Sequence, residues 1–168
     1  MYTGTVFNAP WDKSLIFSTM LFSSILLGVA LIGLLVGEER NNFFWLLAMV
    51  VLPLAILIAS ALFGVRGYKL TNDALYIQRF GWNSKIPLTQ LINAESNPYA
   101  MDNSLRTWGN GGLFAITGRF RNDRLGSYQA YATDPLRSVI LRFPQRTIVL
   151  TPDNPEQFVR EVRSRQMM

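Results

Sequence analysis

The chain contains no cysteine and no histidine. Their absence removes several chemistries at once: a disulfide framework, a Cys or His metal site, a thiolate nucleophile and an imidazole base. Charge is scarce too, at 16% of residues, and two stretches have none. Ser14 to Val36 and Phe43 to Val65 each run for 23 residues without Asp, Glu, Lys or Arg. A helix rises about 1.5 Å per residue, so each run reaches about 35 Å, against a hydrocarbon core of about 30 Å. The first run is too long for the apolar stretch of a cleavable leader, about 7–15 residues, and "LVGEER" offers no small-x-small cleavage site. A chain of 168 residues is also too short to wrap two such helices inside a soluble core. Two uncleaved membrane spans are expected, over about 14–36 and 43–65.

Only "GEERNN", Gly37 to Asn42, joins the runs, so the helices must be antiparallel neighbours. Arg40 in that loop is outnumbered by Glu38 and Glu39, whereas Lys13, Arg66, Lys69, Arg79 and Lys85 flank the opposite ends. Lys and Arg favour the cytoplasmic side, which puts both termini there. Trp11 and Tyr68 suit one interfacial belt, and Phe43, Phe44 and Trp45 the other. Ser24 and Gly28, facing Ala55, Ala59, Ser60 and Gly64, would let the helices approach closely. Pro53 would kink the second helix. Neither run carries an ionisable residue, so the hairpin reads as an anchor, not an ion or proton path.

Residues 1–65 thus form an N-terminal tail and hairpin, and 66–168 a second unit. That unit has 14 basic and 8 acidic residues, hence a net charge of +6. Strand signals dominate it. "RGYKLT" and "ALYIQRF" flank the turn pair Asn72-Asp73, and "SKIPL" and "LINAES" follow. "GLFAITGRF" and "GSYQAYAT" flank the polar "RNDRL", and "SVILRF" and "RTIVLT" flank Pro144-Gln145. Val139, Leu141 and Phe143 would share a face with Ile148 and Leu150. "TPDNPEQFVREVRSR" then reads as a helix, with Asn154 as cap, Pro155 at the first position and Phe158, Val159 and Val162 as its apolar stripe. Glu156 and Arg160 would pair across one turn. About seven short strands followed by one amphipathic helix suggest an all-β, partly open barrel capped by that helix.

"YKLTNDALYIQ", then "IPL", a β-rich middle, and "TPDNPEQF" opening a short helix together resemble the bacterial pleckstrin-homology-like (PH) domains, over roughly residues 63 to 165. The resemblance implies a barrel of two roughly orthogonal antiparallel sheets, seven strands in all, closed at one end by the C-terminal helix. It also implies a home in the bacterial cytoplasmic membrane, because such domains commonly follow one or two transmembrane helices. Phosphoinositide-binding PH domains use a Lys and two spaced basic residues on the first hairpin. Here Lys69 and Arg79 stand in such places, but Ile77 occupies the third, so the pattern is incomplete.

The densest charge group is "GRFRNDR". Arg119 and Arg121 alternate along a strand and share a face, Arg124 lies in the next loop, and Arg106 approaches from an earlier strand. Such a group can meet anionic headgroups or an acidic protein. Lys69 and Arg79 are secondary contacts, as is Trp108, in the glycine-rich "WGNGGLF", which reads as a flexible hairpin or bulge. That segment is neither a P-loop nor G-x-G-x-x-G, since Phe114 takes the last position. No G-x-S-x-G elbow is present, and Asp102, Asp123 and Asp134 are too scattered for paired-carboxylate chemistry. No enzyme, cofactor or metal is expected, and no nucleic-acid partner, because the basic residues follow no recognition motif. The leading expectation is a non-catalytic, membrane-anchored interaction or scaffold module with a protein partner or a second copy. A reader of anionic lipid, or an accessory subunit of a transporter or envelope enzyme, are the alternatives.

Overall fold

The computed structural model describes residues 4–35 and 42–166, with the backbone alone at 166. The expected loop around Glu38, Glu39 and Arg40 lies outside them. Helix α1 spans Lys13–Leu35 and α2 spans Phe43–Leu62. Asp12 opens α1: its carboxylate accepts from the Ser14 and Leu15 amides at 3.1 and 2.8 Å, satisfying donors that the first turn leaves open. Asn42 does the same for α2. Within α2, Leu47–Val51 forms a wide π-helical turn just before Pro53. That turn absorbs the donor and the space that proline denies a regular helix.

Both helices are long and apolar enough to cross a membrane. Only 17% of the most apolar stretch of α1, and 6% of that of α2, is buried, the opposite of a soluble core helix. The small residues named from the sequence do not set the helix contact. A Cβ added at Gly28 would meet nothing within 4 Å, whereas one at Gly33 would lie 2.6 Å from Met49 Cβ. Trp45 Nε1 also donates to the Gly33 carbonyl at 3.1 Å. The close approach falls at Gly33, facing the π turn, where a wider α2 comes nearer.

Among the described residues the β-module has ten strands, not seven. A four-stranded antiparallel sheet runs in the order β1 (Thr5–Asn8), β2 (Gly67–Leu70), β3 (Ala74–Gln78), β4 (Asn83–Pro87). Its first strand precedes α1 in the chain, so the N-terminal tail belongs to the same sheet as the segment after α2. The second sheet uses β5 (Asn93–Ser96), β6 (Leu105–Gly111), β7 (Ile116–Asn122), β8 (Gly126–Ala132), β9 (Val139–Arg142) and β10 (Thr147–Leu150), in the order β5-β9-β10-β8-β7-β6. It is not wholly antiparallel: β8 and β10 run parallel. A 3₁₀ turn at Pro135–Arg137 carries the chain past the place beside β8, and β10 folds back from β9 to fill it. The glycine-rich segment is largely strand: β6 extends to Gly111, with an irregular register between Arg106 and Trp108.

Val139, Leu141, Phe143, Ile148 and Leu150 line the main core with Leu70, Leu75 and Ile77 of the first sheet. Helix α3, Pro155–Gln166, closes it with Phe158, Val159 and Val162. Asn154 caps that helix through the Gln157 amide at 3.1 Å. The expected Glu156–Arg160 pair is replaced: Glu156 accepts from Ser96, and Arg165 pairs with Glu161, which also accepts from Thr5 Oγ1 of β1 at 2.6 Å. Tyr68 is not interfacial but completely buried. Its hydroxyl donates to the Tyr131 carbonyl at 2.6 Å and accepts from the Thr151 amide at 3.1 Å, joining the two sheets.

Two measurements follow. Val6 and Lys69 are register partners in β1 and β2, and no native cysteine competes, so V6C/K69C is expected to form an intramolecular disulfide in the full chain. Failure to oxidise would contradict the pairing. Burial pushes the Tyr68 phenol up to about 12 from its ordinary 10.0. The folded state therefore holds the proton more tightly than the unfolded one. Its stabilising contribution is complete below pH 10 and is lost as pH rises toward about 12. Tyr68→Phe should cost about 1–3 kcal/mol at neutral pH, by stranding the Thr151 amide, and should flatten part of that alkaline loss in denaturation curves.

Candidate functional site

Strand register shows where the barrel opens. One row across the second sheet reads Leu141, Ile148, Gln129, Arg119, Trp108. Its first two members lie in the main core, Gln129 is half-buried, and Arg119 and Trp108 are exposed. A second row runs from Val139 and Leu150 through Tyr131 and Thr117 to Asn110. The inner face of the sheet thus continues past the edge of the core, and β8, β7 and β6 present it uncovered. Arg119 and Arg121 both point from this face, as their alternation with the buried Phe120 and Asn122 requires. Arg124 is exposed in the β7–β8 turn.

A groove of about 550 Å³ on this face holds Arg119 together with Thr107, Ser127, Gln129, Gln145 and Arg146. Arg146 had no signal in the sequence beyond its charge, because it arrives from the β9–β10 turn. Arg106 does not join Arg119: its guanidinium runs over Gly111, where an added Cβ would lie 2.6 Å from Nη1. The ion pairs among the described residues are Arg137–Asp134, Arg142–Glu95 and Arg165–Glu161, so Arg106, Arg119, Arg121 and Arg124 have no carboxylate partner there.

A second recess, of about 340 Å³, lies at the neck between the β-module and the end of α2. Ala59, Ser60 and Phe63 form its helical wall, and Asn110, Thr117, Gln129 and Tyr131 its sheet wall, with Trp108 and Arg79 at the sides. Gln129 lines both recesses. Two residues rated secondary from the sequence, Arg79 and Trp108, meet here. Arg79 is half-buried directly after β3. It donates from Nη1 to the Phe63 carbonyl at 2.7 Å, and its guanidinium carbon lies 5.5 and 5.4 Å from the Phe63 and Tyr131 ring centres. Desolvation pulls its pKa down and the Tyr131 phenol pushes it back up, while Tyr131 itself is raised by burial. Lys69, in β2, lies elsewhere, in a separate recess with Asp73, Tyr76 and Lys85. The two basic residues of the phosphoinositide-like pattern are therefore not brought together.

The β6–β7 tip is fastened to the anchor. Ser18 Oγ of α1 donates to the Gly112 carbonyl at 2.7 Å, and the Phe114 amide donates to Thr19 Oγ1 at 3.0 Å. Trp11 meets Phe114 edge-on, with ring centres 6.2 Å apart. Phe63 and Trp82 make a similar contact at 4.9 Å on the α2 side. Aromatic side chains thus ring the neck where a membrane surface would lie.

Two sheets around one core, plugged by a C-terminal helix and open along one flank, define a PH-like module preceded by two long apolar helices. The family model of the bacterial PH domain matches residues 66–166, and the chain belongs to that family. No curated protein matches the chain, and neither does any solved structure.

Gly109 and Gly118 face each other where β6 and β7 meet the neck. Both have positive φ, 108° and 138°, and an added Cβ would lie 2.3 Å from the Thr117 carbonyl oxygen or 2.1 Å from that of Trp108. Gly118→Ala should therefore destabilise the flared hairpin by about 1–3 kcal/mol, through backbone strain and forced separation. Limited proteolysis of the full chain in detergent should show new cleavage between 105 and 122. An unchanged digest and melting temperature would remove this constraint on the site.

Proposed function

We propose that the protein is a non-catalytic interaction module held against the cytoplasmic face of a bacterial membrane, its helical hairpin spanning the bilayer and both termini inside. The carrying observation is the β1–β2 ladder. It joins the segments on either side of the hairpin into one sheet, and Val65, directly after α2, is already 1% exposed in the core. No linker gives the module reach, so its partners are confined to the same surface. The excess of Lys and Arg at the β-module end of the helices supports the orientation.

The flared arginine face is the contact surface in this reading, and an acidic protein is its partner. Strand β7 leaves the anchor at its Ile116 end. Arg121 lies five residues further on, roughly 17 Å at about 3.3 Å per residue, and Arg124 beyond it. Surface charge is screened over about 8 Å at physiological ionic strength, which favours a protein over headgroups at Arg121 and Arg124.

In cells, a photoreactive residue at Ser127, beside Arg121 in register, should crosslink the full chain to a protein, either another species or a second copy. Charge reversal by R119E/R121E should remove that adduct while the chain stays in the membrane fraction. Lipid adducts alone, or a protein adduct indifferent to the reversal, would sink the reading. A C-terminal reporter active only outside the cytoplasm would sink the orientation.

A further inference from the structure

The neck recess combines features that the arginine face lacks. Among the described residues its one cation is Arg79, half-buried, and none of them brings a carboxylate to the recess. The Phe63 carbonyl occupies Nη1, but Nε is buried without a hydrogen-bond partner. The Phe63 and Tyr131 rings pack against the guanidinium from two sides of the recess. Around it stand neutral polar groups suited to an anion's remaining oxygens: the Ser60 hydroxyl, the Gln129 amide and the Tyr131 hydroxyl. Gln129 Nε2 already donates to the Tyr131 oxygen at 2.6 Å, which leaves the Tyr131 proton free to turn outward. The other wall is the last turns of α2, where the exposed Ile56 and Ala59 continue along the helix as an apolar track. Trp108, 78% exposed, stands at the rim as an amphipathic side chain suited to the bilayer interface.

We propose that this recess binds the phosphodiester of an anionic glycerophospholipid, with Arg79 contacting the phosphate and the acyl chains lying along Ile56 and Ala59. The occupant is a lipid, not a free phosphate, because the recess is bounded on one side by a helix that ends at the membrane. Its volume, about 340 Å³, falls in the ordinary range for a small ligand site, about 300–1,000 Å³. A charge-assisted contact from a preorganised guanidinium is both stronger and more directional than one from a solvated surface arginine. The site lies at headgroup depth, unlike Arg121 and Arg124. It rests on the reading that α1 and α2 span a bilayer.

The test uses the full chain, purified in mild detergent, with native mass spectrometry counting retained lipid. Phosphatidylglycerol should be retained in a one-to-one adduct and phosphatidylcholine should not. Arg79→Gln should weaken phosphatidylglycerol binding by about tenfold, the scale expected for one lost charge-assisted contact. Arg79→Lys should fall between, and Arg121→Gln should leave the adduct unchanged. If Arg79→Gln does not fold, Ala59→Phe fills the helical side of the recess while keeping the Arg79 charge, and should displace the lipid equally. Equal retention of both lipids, or undiminished phosphatidylglycerol binding in Arg79→Gln and Ala59→Phe, overturns the proposal. So does inorganic phosphate that displaces the lipid at equal concentration, which would assign the site to a free anion. Carbonate extraction of membranes separates the two readings. Release of the wild-type chain by carbonate refutes the anchor, whereas retention with unaltered Arg79→Gln binding refutes the recess alone.

Discussion

Everything in this molecule depends on one backbone ladder, the pairing of Thr5–Asn8 with Gly67–Leu70. Those two strands lie on either side of the helical hairpin in sequence, so their hydrogen bonds fix both helix ends to one sheet. The tie is reinforced from three directions. Asp12 caps α1 while its own amide donates to the Thr133 carbonyl at 3.2 Å. Asn8 and Asp153 are joined through backbone and side chain. Thr5 accepts from Arg165 and donates to Glu161 on α3. Helices and β-module are thereby joined at several points.

From that constraint the shape of the exposed face follows. Ser18 and Thr19 of α1 hold the β6–β7 tip, so the hairpin cannot fold over the barrel mouth. The inner face of the second sheet stays open, and its rows grade from aliphatic core through Gln129 and Tyr131 to arginine and tryptophan. Polarity along this face is arranged by distance from the anchor. An aromatic-walled recess with one half-buried cation lies at the neck, and solvated arginines lie farther out. Position within the gradient, more than the count of basic residues, distinguishes the proposed lipid contact from the proposed protein contact.

Much of the architecture was legible in the sequence because the signals are local. Two uncharged runs gave the helices, Asn72-Asp73 and Pro144-Gln145 gave turns, and Asn154 with Pro155 gave the start of α3. Strand β1 was not legible: four residues, "TVFN", carry little pattern, and their partner lies some sixty positions away. The parallel β8–β10 pair was missed for the same reason, since strand order is a non-local property. Among site residues, Arg119 and Arg121 were readable from simple alternation. Arg79 was undervalued, because nothing in "IQRFGW" reveals that Phe63 and Tyr131 close around its guanidinium. Tyr68 was misplaced at the interface because aromatic residues near a span also serve as core, and only burial tells the two apart.

The position of β1 also bears on how the protein is assembled. It is made before both helices, yet its partner strand emerges only after both have been synthesised. With both helices inserted, the two strands meet on one side of the bilayer and the sheet closes. With only one inserted, they end on opposite sides. The first sheet is then left with three strands and an open β2 edge, a ready template for aggregation. In the proposed orientation, closure of the first sheet therefore requires that both helices be inserted, which ties folding of the β-module to insertion of the hairpin.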